Sequence, residues 1–240
     1  MSDEALRAGV LDLLDRPIWN ALTTWHQQFA EGAGLARRYS SDIAPFAGTH
    51  DLSVASLTDL GKLIGPGKPA GLFTIDKVVV PPGLEILLEN TLEQMVAVNP
   101  VDDGNGPVPV ALGQSDHAAM FGLADMVKPG PFSLRSPELG RFVGIRDAGR
   151  LVAMAGERLH LNGLTEVSAV CTHPDYRGRG YARTLSVAVS RNIASRGDIP
   201  FLHAFSDNLA AIKLYQRLGF VIRRRMHVIL LGQEASATAG

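Results

Sequence analysis

The chain has 240 residues, with 23 Lys plus Arg against 24 Asp plus Glu, seven His and one Cys. Apolar residues at 46% and charged residues at 20% exclude an intrinsically disordered chain, and a net charge of −1 gives no global pull toward nucleic acid or anionic lipid. The lone Cys171 excludes an intramolecular disulfide framework and any multi-cysteine metal site.

The start, Met1-Ser2-Asp3-Glu4, lacks the basic and then apolar pattern of a signal peptide. The apolar run Val78-Val79-Val80 is stopped at once by Pro81-Pro82. A cytoplasmic protein without a membrane span is therefore expected. Leu6, Val10, Leu13 and Leu14 share one helical face, and after Pro17 the set Ile18, Leu22, Trp25 and Phe29 repeats it. Pro17 suits a first helical turn and Gly32-Ala33-Gly34 an end. Trp19 and Trp25, with Phe29, read as helix core rather than as a ligand cage. The Gly- and Pro-rich stretch Gly61–Gly71 reads as loop, and from Leu84 to Val98 periodicity leaves strand and helix both open.

Asn99-Pro100-Val101-Asp102-Asp103-Gly104-Asn105-Gly106-Pro107 opposes helix and ladder alike and reads as a linker. It divides residues 1–105, which carry no chemical motif, from a second region, 106–240, of about 135 residues, long enough for its own core.

In that second region Val108–Leu112 reads as a strand and Ser115–Lys128 as a helix capped by Ser115 and Asp116 and stopped by Lys128-Pro129-Gly130-Pro131. Arg141–Arg146 and Leu151–Leu159 form a hairpin over Asp147-Ala148-Gly149, and Leu164–Thr172 completes a meander. Helix Arg179–Arg196, strand Pro200–Ser206, helix Asn208–Leu218 and a last strand or hairpin, Val221–Leu231, follow. The order β-α-β-β-β-α-β-α-β means an α/β protein with a mixed sheet.

Between the strand ending near Pro174 and the helix after it lies Arg177-Gly178-Arg179-Gly180-Tyr181-Ala182-Arg183. A helix start leaves unpaired N–H groups and partial positive charge, glycine removes the Cβ atoms that would hold an anion off, and three arginines surround the spot. The missing lysine excludes a Walker loop, and Arg183 breaks the dinucleotide fingerprint. The pattern Arg/Gln-x-x-Gly-x-Gly/Ala, read as Arg177, Gly180 and Ala182, resembles the coenzyme A loop of the GNAT superfamily of N-acetyltransferases. Asn208, Ala211, Tyr215 and Leu218-Gly219-Phe220 are similar to its later signature, and the resemblance covers roughly 107–231. Residues 1–105 would then be a degenerate GNAT-like copy.

The resemblance implies an acetyl-CoA-dependent N-acetyltransferase using direct attack in a ternary complex. Val170, Cys171 and Thr172 would hydrogen-bond the pantetheine arm, Gly178, Arg179, Gly180, Tyr181, Ala182 and Arg183 the pyrophosphate, and Asn208 would touch the coenzyme or merely cap its helix. Glu166, sharing a face with Ser168, Val170 and Thr172 by period two, is one candidate base and His203 the other. Tyr215 would protonate the departing thiolate or sit in the core. Cys171 offers its backbone rather than its thiol. His160 and His173 lack partners at ligand spacing, so no metal is expected. Arg223-Arg224-Arg225 reads as a solvated sheet edge rather than a nucleic-acid site. A small amine or a peptide amine remains open as acceptor, and monomer or homodimer as assembly. The alternative is a catalytically silent acyl-CoA-binding module.

Overall fold

Pro17 opens helix α1 (Pro17–Leu22), where its missing N–H removes no helical hydrogen bond. The computed structural model describes residues 9–97 and 106–233, so Leu6 and most of the Asn99–Pro107 run lie outside the described residues. The helix ends well before Phe29. Thr23 and Thr24 turn their hydroxyls back onto the carbonyls of Trp19 and Asn20, 2.8 and 2.5 Å away, and a 3-10 turn at Gln27–Phe29 follows. Trp25, expected in the core, is consequently 54% exposed.

The chain divides into two compact units. Met1–Ser41, Pro45–Leu92 and Met226–Gly240 form the first, and Asp42–Ala44 and Glu93–Arg225 the second. The division falls inside strand β5 (Leu84–Ala97), not at residue 105. The cause is that β5 and the last strand, β11 (Phe220–Gln233), are continuous strands that each serve both units, so no single cut separates them.

In the first unit β1 (Ala30–Glu31), β2 (Ala36–Tyr39), β3 (Phe46–Thr49), β4 (Ala70–Thr74) and the end of β11 lie in that order. β3 and β4 are parallel, joined through α2 (Val54–Leu63), whose Ser53 cap accepts the Ser56 N–H. α2 takes in Gly61 and β4 takes in Gly71, so only the middle of that Gly/Pro stretch is loop. Leu57, Leu60 and Ile64 close the core against Ala47, Leu72 and Ile229.

The second unit has the strand order β11-β5-β10-β9-β8-β7-β6, built from β6 (Val110–Leu112), β7 (Phe142–Asp147), β8 (Arg150–Leu161), β9 (Leu164–Thr172) and β10 (Ile199–Phe205). Ala148 and Gly149 both take positive φ, 45° and 82°, as a two-residue hairpin turn requires. α3 (His117–Val127) stops where Lys128 turns left-handed before Pro129, but Asp116 does not cap it. Its carboxylate accepts the Gly113 N–H at 2.8 Å and receives Arg146 instead. α4 (Tyr181–Ala194) and α5 (Leu209–Arg217) pack Leu185, Val189 and Ile212 on Val152, Val167 and Leu202, while α3 packs Met120 and Leu123 on Phe142, Met154 and Cys171. This is the α/β mixed sheet that the element order predicts. Among the described residues no helix is long and apolar enough to cross a membrane.

Candidate active site

β9 and β10 run parallel and are in register from Leu164 with Ile199 to Glu166 with Phe201. Past Glu166 the pairing ends and the strands part, while β9 stays hydrogen-bonded to β8 on its other side, Cys171 opposite Met154 and Thr172 opposite Ala153. The edge of β9 that β10 leaves is the place expected for Val170, Cys171 and Thr172 to offer backbone groups. The Thr172 hydroxyl oxygen is buried there without a hydrogen-bond partner.

Ala169 sits in this stretch with φ 52°, in the left-handed region, and the β8–β9 register shifts between the Met154 and Gly156 pairs. Such a bulge sets two consecutive residues on one side and reverses the alternation beyond it. Glu166 therefore does not share its face with Val170 and Thr172. Val170 packs in the same core as Val167, whereas Ala169 packs beside Cys171. Period-two counting fails because it assumes an uninterrupted ladder.

After β9 the chain makes a 3-10 turn, Pro174–Tyr176, and passes two left-handed glycines, Gly178 at φ 77° and Gly180 at φ 78°. A Cβ on either would meet nothing within 4 Å, so the backbone conformation, not crowding, calls for glycine. α4 begins on Gly180 with no side-chain cap, leaving its first-turn N–H groups to a ligand or water. Tyr176 braces the loop: its hydroxyl donates to Asp147 at 2.6 Å, and the Arg179 guanidinium lies 4.7 Å from its ring centre. Arg177, Gly178, Arg179, Gly180 and Arg183 are exposed, and Tyr181 and Ala182 half-buried. Asn208 caps α5, its side-chain oxygen accepting the Ala211 N–H at 3.1 Å.

The two candidate bases meet. His203 Nδ1 lies 2.7 Å from Glu166 Oε1, and both side chains are almost wholly buried. Arg158 donates from Nε and Nη2 to the two carboxylate oxygens at 2.7 and 2.6 Å. On the far side of the imidazole, Gln94 Nε2 is 3.1 Å from His203 Nε2, and Arg223 donates to Gln94 Oε1 at 2.9 Å. These contacts fix one tautomer: the amide donates to Nε2, so the proton sits on Nδ1 and points at the carboxylate. Burial works to raise the Glu166 pKa, but Arg158 and then His203 outweigh it and hold the carboxyl at about 2. Sequence reasoning missed Arg158, Gln94 and Arg223, which lie on other strands. The arginine run is also not a bare edge, since Arg223 and Arg225 reach Gln94 and Glu93 on β5.

Arg158, Glu157, Ser168 and Ala169 line a cavity of about 20 Å³ with Gly130 and Phe132, room for about one water. Tyr215 is buried in the α4–α5 core beside Phe220, and burial pushes its hydroxyl up to about 12. Cys171 is buried as well, its thiol pushed up to about 12 by loss of solvent.

This geometry has relatives. The family model of FR47-like proteins matches residues 142–228. The N-alpha-acetyltransferase RimI of Mycobacterium tuberculosis is 36% identical over 123 residues, 46% of this chain and 73% of that protein. A crystal structure described as a GNAT-family acetyltransferase from Novosphingobium aromaticivorans superposes with a TM-score of 0.87 at 39% identity, covering 92% of this chain and 99% of that one. The chain belongs to the GNAT family of acetyltransferases. Its GNAT likeness extends beyond the region that carries the two signatures, because the Novosphingobium match takes in both compact units. Mycothiol acetyltransferase of Saccharopolyspora erythraea is 35% identical over 82 residues, 34% of this chain and 27% of that protein. The chain thus spans little more than a quarter of the length of that curated relative.

Proposed function

We propose that this GNAT protein moves an acetyl group from acetyl-CoA to a primary amine by direct attack in a ternary complex. The observation that carries this reading is the parting of β9 from β10 after Glu166, next to a left-handed glycine loop that opens α4. The orphaned Thr172 hydroxyl fits a ligand with polar groups along an extended arm, and Arg177, Arg179 and Arg183 fit a pyrophosphate at the start of α4. Acetyl-CoA supplies the acyl group and a thiolate leaving group. The name of one relative, an N-alpha-acetyltransferase, agrees with an amine acceptor.

The amine must lose a proton. A lysine-like ammonium near pKa 10.4 is only about one part in 10³ neutral at pH 7, a handicap of roughly 4–5 kcal/mol. Glu166 alone is a poor acceptor, since a carboxyl held at about 2 does not keep a proton at neutral pH. Glu166 and His203 therefore act as one unit: His203 takes the proton on Nε2 while Glu166 holds Nδ1–H. For this, Gln94 must first withdraw its amide N–H from His203 Nε2, while its Oε1 stays with Arg223. Tyr215 donates a hydrogen bond to the departing sulfur. Full proton transfer from a hydroxyl at about 12 to a thiolate whose acid is near 8.5 is uphill by roughly 5 kcal/mol.

The test is thiol release from acetyl-CoA with an amine panel, run alongside calorimetric acetyl-CoA binding. Tight binding with no transfer to any amine would replace this reading with that of a silent acyl-CoA-binding module.

A further inference from the structure

The first unit holds a cavity of about 390 Å³, within the range of small-molecule sites. None of its lining residues belongs to the acetyl-transfer site. Its walls carry four carboxylates, Asp12, Asp15, Asp51 and Asp76, against one guanidinium, Arg16. Arg16 is turned onto the His50 carbonyl. Asp51 is firmly ionised: hydrogen bonds, from Ser53 first and then Ser56, pull its carboxyl well below the ordinary range.

Two further features select among cations. Trp19 and Phe73 contribute aromatic surface to the same walls, and the Arg37 guanidinium already lies 5.6 Å from the Trp19 ring centre. Thr49 lines the cavity at 4% exposure, and a hydroxyl in a cavity wall can accept a ligand's N–H. An anion meets a net excess of negative charge here. Among the described residues no three His, Cys, Asp or Glu side chains stand close enough to hold a metal ion, so the carboxylates surround a volume rather than a point.

We propose that this cavity binds a small organic ammonium, its charge among the aspartates, its apolar body on Trp19 and Phe73, and an N–H of the ammonium on the Thr49 hydroxyl. A primary aryl- or alkylammonium satisfies all three. A quaternary ion satisfies the first two only.

That difference makes the test. The chain has two tryptophans, so Trp25→Phe leaves Trp19 as a sole fluorophore in the cavity wall. Benzylammonium and benzyltrimethylammonium should each give a saturable change in its emission, with benzyl alcohol and benzylphosphonate far weaker. Benzyltrimethylammonium has no N–H to acetylate, so its binding is read independently of acetyl transfer. Asp12→Asn with Asp76→Asn, both at exposed positions, should weaken both cations about three- to tenfold. Thr49→Val should weaken benzylammonium and leave benzyltrimethylammonium unchanged. Unchanged thermal unfolding shows each variant folded. Equal responses to all four probes, no saturable response to either cation, or affinity untouched by the double aspartate change overturns the proposal.

Discussion

Arg158 grips Glu166 with two parallel hydrogen bonds, 2.7 and 2.6 Å, inside a core that leaves the carboxylate 1% exposed. Removing one partner of such a buried pair strands the other charge and costs roughly 3–5 kcal/mol. Glu166→Gln should therefore lower the unfolding free energy read from chemical denaturation by about that amount. Arg158→Met should do likewise, and the double variant should recover part of the loss, because no charge is then stranded. A double variant as unstable as the two single losses added together would sink this account.

The same pair gives a pH dependence with a definite sign. The folded carboxyl, at about 2, lies below the roughly 4.3 of an unfolded glutamate. Its stabilisation is fully present above pH ~4.3 and is lost as pH falls toward 2; it amounts to about 3 kcal/mol. Between those limits wild type should lose more stability than Glu166→Gln, whose amide does not titrate. Parallel stability curves for the two proteins over that window would refute the assignment.

Activity should separate the two members of the dyad. His203→Gln should lower kcat about a hundredfold or more, since His203 takes the proton. Glu166→Gln should lower kcat less, because the imidazole remains and has lost only its orienting partner. Steady-state rates with one amine acceptor decide it. A kcat unchanged by His203→Gln removes His203 from the base role.

How much of this was legible in the sequence follows from the range of each signal. Local signals were read closely: β9 came out with its observed bounds, the Ala148-Gly149 turn was visible in its residues, and Gly178 and Gly180 marked a loop that needs positive φ. What needed a partner strand was invisible. Arg158 meets Glu166 across β8 and β9, and Gln94 reaches His203 from a strand over 100 residues away in sequence. The left-handed Ala169 carried no glycine to announce the bulge that reversed the face count. Continuous strands serving both units likewise hid the division of the chain.

Gly180→Ala isolates the backbone from the side chains around the coenzyme loop. Space is open beside Gly180, so the cost is that of a left-handed alanine, about 1 kcal/mol. For a chain of this size that means roughly 2–4 °C in Tm. The larger effect should be on ligand affinity, with acetyl-CoA binding about three- to tenfold weaker by calorimetry as the first N–H groups of α4 swing off line. Unaltered affinity alongside the predicted drop in Tm would place the pyrophosphate elsewhere.

Cys171 distinguishes direct attack from a covalent acetyl-cysteine route. Only the thiolate is a competent nucleophile, and a buried thiol pushed up to about 12 is on the order of 10⁻⁵ ionised at pH 7. Among the described residues it packs in an apolar cluster with Met120, Phe142 and Met154, and burial alone dominates its thiol. Cys171→Ala should thus keep kcat within about twofold while losing roughly 1 kcal/mol of stability to the vacated volume. Native protein should resist iodoacetamide at pH 7 and react once unfolded. A Cys171→Ala protein that binds acetyl-CoA normally yet transfers nothing would overturn direct attack, since the backbone at that position is unchanged and only the sulfur has gone.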